Sequence, residues 1–259
     1  EAVALGFGKA IVREEGAAAP VLAVAAGDRL VAGGRLELGA YHPEVVLEAD
    51  SPDGGWVAYT VRTIDAKEDE VDTDVYMAPL AAPDGGEAIR LTASPKSEST
   101  PRWSPDGRYL AFLSEREGDK SQVWLLDRRG GEAVKLTDSK ASVEDLAWAP
   151  DGKRLALVIA DADPHEIPDD AKGAAKTPKP IVIRRLQFKR DGAGYLRELR
   201  SHLYLFDVAA KTSVQLTSGP YDESEPRWSP DGRAIAFTSN RDGNFEIYVM
   251  FSDGSVEIR

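Results

Sequence analysis

Four aspartates occupy one position of a recurring turn: Asp53 in Ser51-Pro52-Asp53-Gly54, Asp106 in Trp103-Ser104-Pro105-Asp106-Gly107, Asp151 in Trp148-Ala149-Pro150-Asp151-Gly152 and Asp231 in Trp228-Ser229-Pro230-Asp231-Gly232. Repeated carboxylates suggest acid–base or metal chemistry. Paired carboxylate catalysis needs two groups within about 10 Å. These aspartates are 53, 45 and 80 residues apart, one to a repeat, so they should be spread around a ring. Their local setting predicts a structural turn instead. Proline presets φ, aspartate bonds nearby backbone and glycine accepts positive φ. The acidic loop Asp65-Ala66-Lys67-Glu68-Asp69-Glu70-Val71-Asp72-Thr73-Asp74 is dense in oxygen ligands but lacks calcium-hand spacing, and reads as solvated. His42, His165 and His202 are the only histidines, none at metal-binding spacing and none with a serine and aspartate partner in sequence. With no cysteine, thiolate nucleophiles, disulfides and cysteine-based zinc sites are excluded. No catalytic residue, metal ligand or cofactor is therefore assigned.

The remaining chemical candidate lies between Asp151 and Asp231. Asp161, Asp163, Glu166, Asp169 and Asp170 crowd one end of that interval. Residues 172–200 then carry nine basic residues against Asp191 and Glu198, so the segment is +7 and the rest of the chain −19. Arginine suits bidentate carboxylate binding. Arg184, Arg185, Lys189 and Arg190 are thus candidates for contacting a peptide carboxylate or a partner surface; the alternative is a solvated flap whose two halves attract each other.

These groups are positioned by a repeat. Each Pro-Asp-Gly turn leads into an apolar strand, Trp56-Val57-Ala58-Tyr59, Tyr109-Leu110-Ala111-Phe112, Leu155-Ala156-Leu157-Val158 and Ile235-Ala236-Phe237. Once an insert of roughly 35 residues is set aside, the period is near 45, that of a four-stranded propeller blade. The expected fold is all-β: a propeller of four-stranded antiparallel blades, about four of them, forming a partial, open array. Residues 1–43 lie outside the repeats, and the blades are expected at about 44–97, 98–140, 141–220 (insert 160–200) and 221–259. Trp103, Trp148 and Trp228 share one register and should fill the space between blades. The last strand reaches Arg259 without a closing segment, so a longer propeller is expected, with self-association through open edge strands as a hazard.

Composition sets outer limits. Of 259 residues 42% are hydrophobic, enough for a packed core. A net charge of −12 argues against nucleic-acid binding. No apolar run approaches membrane-spanning length. Residues 17–26 faintly resemble a signal-peptide core, but Glu14, Glu15 and Pro20 argue for a strand or loop.

The Trp-Ser-Pro-Asp-Gly-Arg pattern, with Leu91-Thr92, Leu136-Thr137 and Leu216-Thr217 ending blades, resembles the propeller repeats of TolB and of the prolyl oligopeptidase family. The segment from Lys176-Thr177-Pro178-Lys179-Pro180 through Phe188-Lys189-Arg190-Asp191-Gly192 to Tyr195-Leu196, leading into Ser201-His202-Leu203-Tyr204, resembles the acylaminoacyl-peptidase branch. That resemblance implies a propeller that admits short or N-acylated peptides to a C-terminal α/β-hydrolase domain bearing a Ser-Asp-His triad, and a cytoplasmic, alternatively periplasmic, location. No Gly-x-Ser-x-Gly elbow occurs in this chain, so no triad residue transfers to it, and the chain alone is expected to be inactive. The other reading is a TolB-like module that binds a protein partner.

Overall fold

A computed structural model describes residues 49–63, 71–80, 88–163 and 198–255 with their side chains. It also describes the strand backbone at 2–5, 9–12, 21–26, 29–35, 44–48, 64–65, 70, 189–190, 194–195 and 257–258. Two hairpins come first: β1 (Ala2–Leu5) with β2 (Lys9–Val12), and β3 (Val21–Ala26) with β4 (Arg29–Arg35).

Four antiparallel four-stranded sheets follow. Blade 1 is β5 (Glu44–Asp50), β6 (Trp56–Asp65), β7 (Glu70–Pro79) and β8 (Ile89–Arg90). Blade 2 is β9 (Glu98–Trp103), β10 (Tyr109–Ser114), β11 (Gln122–Asp127) and β12 (Val134–Lys135). Blade 3 opens with β13 (Val143–Trp148) and β14 (Arg154–Ala160). The insert, holding the short hairpin β15 (Lys189–Arg190) and β16 (Gly194–Tyr195), intervenes before β17 (Ser201–Asp207) and β18 (Thr212–Gln215). Blade 4 is β19 (Glu223–Trp228), β20 (Ala234–Ser239), β21 (Glu246–Phe251) and β22 (Glu257–Ile258). The described residues contain strands and turns only, and no helix among them is long and apolar enough to cross a membrane.

The first strands of successive blades run side by side, β5 with β9, β9 with β13 and β13 with β19, as inner strands around a propeller axis do. The core lies between blades. Ala111, Leu113 and Val123 of blade 2 pack on Val143, Leu146, Leu157 and Phe206 of blade 3. Ala156, Val158 and Leu203 of blade 3 pack on Ile235, Phe237, Tyr248 and Met250 of blade 4. Both faces of an interior sheet are covered, so the central strands read as nearly continuous apolar runs.

The fourth strands are shorter than the apolar pattern suggests. They stop before Leu-Thr because the threonine leaves the ladder to cap the neighbouring strand. Thr92, Thr137 and Thr217 Oγ1 accept the backbone N–H of Val75, Val123 and Leu203 at 2.8, 2.9 and 2.9 Å.

Candidate functional site: inner-strand charges, buried ion pairs and the neck of the insert

The turn aspartates are engaged locally. Asp53 Oδ1 accepts the Ser51 hydroxyl (2.5 Å) and the Gly55 N–H (3.0 Å). The serine oxygen in turn accepts the Trp56 N–H at 2.9 Å. Asp106 and Asp231 repeat this with Ser104 and Ser229. In blade 3 alanine replaces the serine, and Asp151 accepts the Lys153 N–H at 2.9 Å and meets Arg154 Nη2 at 3.4 Å. Accepting these bonds favours the charged form, and the Ser51 hydroxyl and Gly55 N–H hold Asp53 down at about 2. The glycines sit at φ +66 to +69°, and a Cβ built on Gly107, Gly152 or Gly232 would touch the preceding turn's proline. Successive turns therefore lean on one another around one rim.

The tryptophans join blades by a hydrogen bond as well as by area. Indole Nε1 of Trp103, Trp148 and Trp228 donates to the carbonyls of Ala49, Arg102 and Ala147 at 3.2, 3.1 and 3.1 Å, each carbonyl on the preceding blade's first strand.

A second device sits at the opposite end of the first strands, five residues before the tryptophan. Glu98 and Glu223 have side chains with no exposed surface, yet each meets an arginine. Arg116 Nη2 donates to Glu98 Oε1 at 2.8 Å, and Arg241 Nη2 to Glu223 Oε1 at 3.1 Å. Each guanidinium also lies over aromatic rings, Arg116 over Trp124 (4.7 Å) and Phe112 (5.2 Å), and Arg241 over Tyr248 (4.6 Å) and Tyr221 (4.7 Å). Desolvating such a pair is costly unless the remaining lone pairs find donors. Thr217 and Ser239 supply them to Glu223, whereas Ser94 and Ser114 both donate to Oε1 of Glu98 and leave its buried Oε2 without a partner.

The neck of the insert joins this network. Ala160 and Ser201 are paired neighbours in the β14–β17 ladder, so the insert leaves and re-enters at one point. The Asp161 N–H donates to the Arg200 carbonyl at 2.6 Å, and Arg200 N–H to Asp161 Oδ2 at 3.0 Å. Arg200 Nη1 reaches Asp222 at 3.0 Å across the blade boundary. Buried His202 sets Nδ1 2.8 Å from Glu223 and Nε2 3.8 Å from Asp161. Both ring nitrogens face carboxylates, so this imidazole is engaged by acidic neighbours rather than aimed at a serine hydroxyl.

Along the inner strands, charge collects between blades 2, 3 and 4. Arg102 Nη2 is 3.8 Å from Asp145 Oδ1. Burial raises the Asp145 carboxyl, while Leu146 N–H and the fields of Arg102 and Arg227 oppose the rise. Thr100 and Glu225, at φ 54 and 53°, sit in the bulges where β9 and β19 shift register against their neighbours. A bulge bends the strand and re-aims the following side chains, here Arg102 and Arg227. The charges lining this axis were not assigned from sequence.

Among the described residues no group of three His, Cys, Asp or Glu could hold a metal ion. Arg184 and Arg185 lie outside the described residues, and of Lys189 and Arg190 only the strand backbone is described. His42, His165 and residues 66–69 also fall outside them; Asp65 ends β6 and residues 70–74 open β7, so the rest of the acidic segment is paired strand rather than the expected loop. Asp74 at its end is buried, pairs with Arg90 at 2.5 Å and is raised by burial.

Blade 4 presents an open face. Phe245, just before β21, and Ile247, Val249 and Phe251 within it follow one alternation, and Ile247 is 66% exposed. At the same register Val123 of blade 2 and Leu203 of blade 3 are 0% exposed, because the next blade covers them.

No protein-family model matches the chain. An uncharacterized peptidase of Bacillus subtilis, YuxL, is 34% identical over 190 residues, 73% of this chain and 28% of that protein. The acylaminoacyl peptidase of Pyrococcus horikoshii superposes on 84% of this chain with a TM-score of 0.57 at 16% identity, over 32% of its own length. A putative TolB of Agrobacterium tumefaciens covers 98% of this chain and 76% of its own, with a TM-score of 0.54 at 16% identity. The two structures share the fold. The chain thus spans about a third or less of the two peptidases it matches. Repeat, blade architecture and sequence identity together identify the chain as a propeller region of a prolyl oligopeptidase-family peptidase.

Proposed function

We propose that this region gates and scaffolds a serine peptidase acting on short or N-acylated peptides, the bond-breaking triad residing in an α/β-hydrolase domain carried by the same polypeptide. The sequence identity to a peptidase carries the reading. The inner-strand charges support it: Arg102, Asp145, Glu225 and Arg227 give the axis a mixed-charge lining suited to the two ends of a short peptide. The open apolar face of blade 4 supports a scaffold role, since its register is the one that receives a further blade elsewhere in the array. In this reading Arg184, Arg185, Lys189 and Arg190 contact substrate or the partnering domain.

The test is kinetic. The 259-residue chain alone should not turn over acyl-peptide chromogenic substrates. In the whole protein, Arg184→Gln/Arg185→Gln should raise KM with kcat little changed. Serine-reactive hydrolysis by this chain alone would overturn the reading. A reading frame that encodes no Gly-x-Ser-x-Gly elbow would also overturn it, and would favour a protein-binding propeller instead.

A further inference from the structure

Blade 3 departs from its neighbours as a set. Aligned on the tryptophan, Glu98 and Glu223 correspond to Val143, Ser114 and Ser239 to Ile159, and Arg116 and Arg241 to Asp161. Lys96 and Tyr221 correspond to Ala141, while Trp124 and Tyr248 correspond to Tyr204. In blades 2 and 4 an arginine covers the aromatic face at 4.7 and 4.6 Å, and in blade 4 the same guanidinium also lies 4.7 Å from the Tyr221 ring. In blade 3 the aromatic remains, but its cover is gone. Asp161 turns instead to the Arg200 N–H. Where the arginine and tyrosine would stand, a cleft of about 320 Å³ opens between blades 2 and 3, bounded by Ala141, Ile159, Tyr204, Phe206, Lys140 and Lys211. That volume falls at the lower end of ligand sites, roughly 300–1,000 Å³.

The chemistry of the walls selects the occupant. The floor is apolar, and Tyr204 offers a ring for offset stacking. Lys140 and Lys211 come from the two elements that bound the cleft, and among the described residues neither has a carboxylate within ion-pair distance. Of the acids beside the cleft, Asp138 pairs with Lys135 at 2.9 Å, and Asp161, near enough to Tyr204 to add to burial in raising its phenol, accepts the Arg200 N–H at 3.0 Å. Lys140 and Lys211 are then the charges of the lining itself without an opposite charge beside them among the described residues. We propose that this cleft binds the C-terminal residue of an apolar peptide, its side chain against Tyr204 and its carboxylate between Lys140 and Lys211.

The 259-residue chain can be titrated with N-acetyl-L-phenylalanine, its amide and agmatine, with binding read by saturation-transfer NMR. The carboxylate should saturate with a Kd of about 1 mM, as befits a small ligand, and the amide should bind about tenfold more weakly. Lys140→Gln/Lys211→Gln should erase the difference between carboxylate and amide. Ala141→Tyr, which installs the residue of blade 4, should abolish binding of both. The lysine variant changes only exposed residues, so it keeps the test decisive if Ala141→Tyr misfolds. Equal binding of acid and amide, preference for agmatine, no saturation, or indifference to the lysine variant would each overturn the assignment. None of these readouts involves turnover, so the result stands apart from the peptidase reading.

Discussion

Arg116→Ala is the most informative perturbation of the array. Arg116 neutralises Glu98, whose side chain has no exposed surface and whose Oε2 is buried without a hydrogen-bond partner. After the substitution only the Ser94 and Ser114 hydroxyls face that carboxylate. Breaking a buried pair by removing one partner costs about 3–5 kcal/mol. Arg116 keeps 21% of its side chain exposed, so water can follow it in, and the lower figure of about 3 kcal/mol applies. For a domain of this size that corresponds to a fall in Tm of about 6–12 °C. The second half of the test is a rescue. Blade 3 carries Val143 at the Glu98 register and buries it. Glu98→Val added to Arg116→Ala removes the stranded charge, and the double variant should return to within about 1.5 kcal/mol of the parent. Urea unfolding followed by far-UV circular dichroism at pH 7 supplies the free energies of all four proteins in the cycle. A loss below about 1 kcal/mol for Arg116→Ala, or a double variant less stable than the single one, would refute the claim that a desolvated charge dominates this site.

Three further outcomes follow from the same geometry. Trp228→Phe keeps a ring between blades 3 and 4 but strands the Ala147 carbonyl, and should cost about 1–3 kcal/mol by chemical denaturation. Gly107→Ala places a Cβ at ordinary contact distance, 3.7 Å from Pro52, so its cost of about 1–2 kcal/mol should come from φ +67° alone, and Gly107→Asn should recover part of it. The turn aspartates Asp53, Asp106 and Asp231 titrate below their unfolded range. Their contribution is present above pH 4 and is lost as pH falls toward about 2, the folded value of Asp53. A Ser51→Ala/Ser104→Ala/Ser229→Ala variant should therefore show a shallower loss of stability between pH 4 and 2 in acid titrations than the parent.

The turns were legible because their causes are local. Ser-Pro-Asp-Gly carries its φ preferences and its own hydrogen-bond partners within five residues, so the repeat and the blade could be read from the chain directly. The role of threonine in Leu-Thr was not read, although its recurrence was visible, because its donor lies 14 to 17 residues earlier on a different strand. The Glu–Arg pairs left a comparable trace: glutamate five residues before the tryptophan, and serine and arginine eleven and thirteen after it, in blades 2 and 4 alike. Aligning the repeats would have exposed that pattern. It would not have shown that the carboxylate is buried, because burial depends on the neighbouring blade.

By itself the amino-acid sequence determined the blade, its period, its punctuating turns and the interruption between Asp151 and Asp231. Each of these is short-range in cause: backbone preference at proline and glycine, and alternation within single strands. Only the tertiary structure decided where the unusual chemistry lies. It closed the neck of the insert onto Asp222 and His202, lined the axis with Arg102, Asp145 and Arg227, left the blade 4 face uncovered and opened a cleft at Ala141. Each depends on whether and how a neighbouring blade packs, which joins residues whose separation in the chain says nothing about their separation in space.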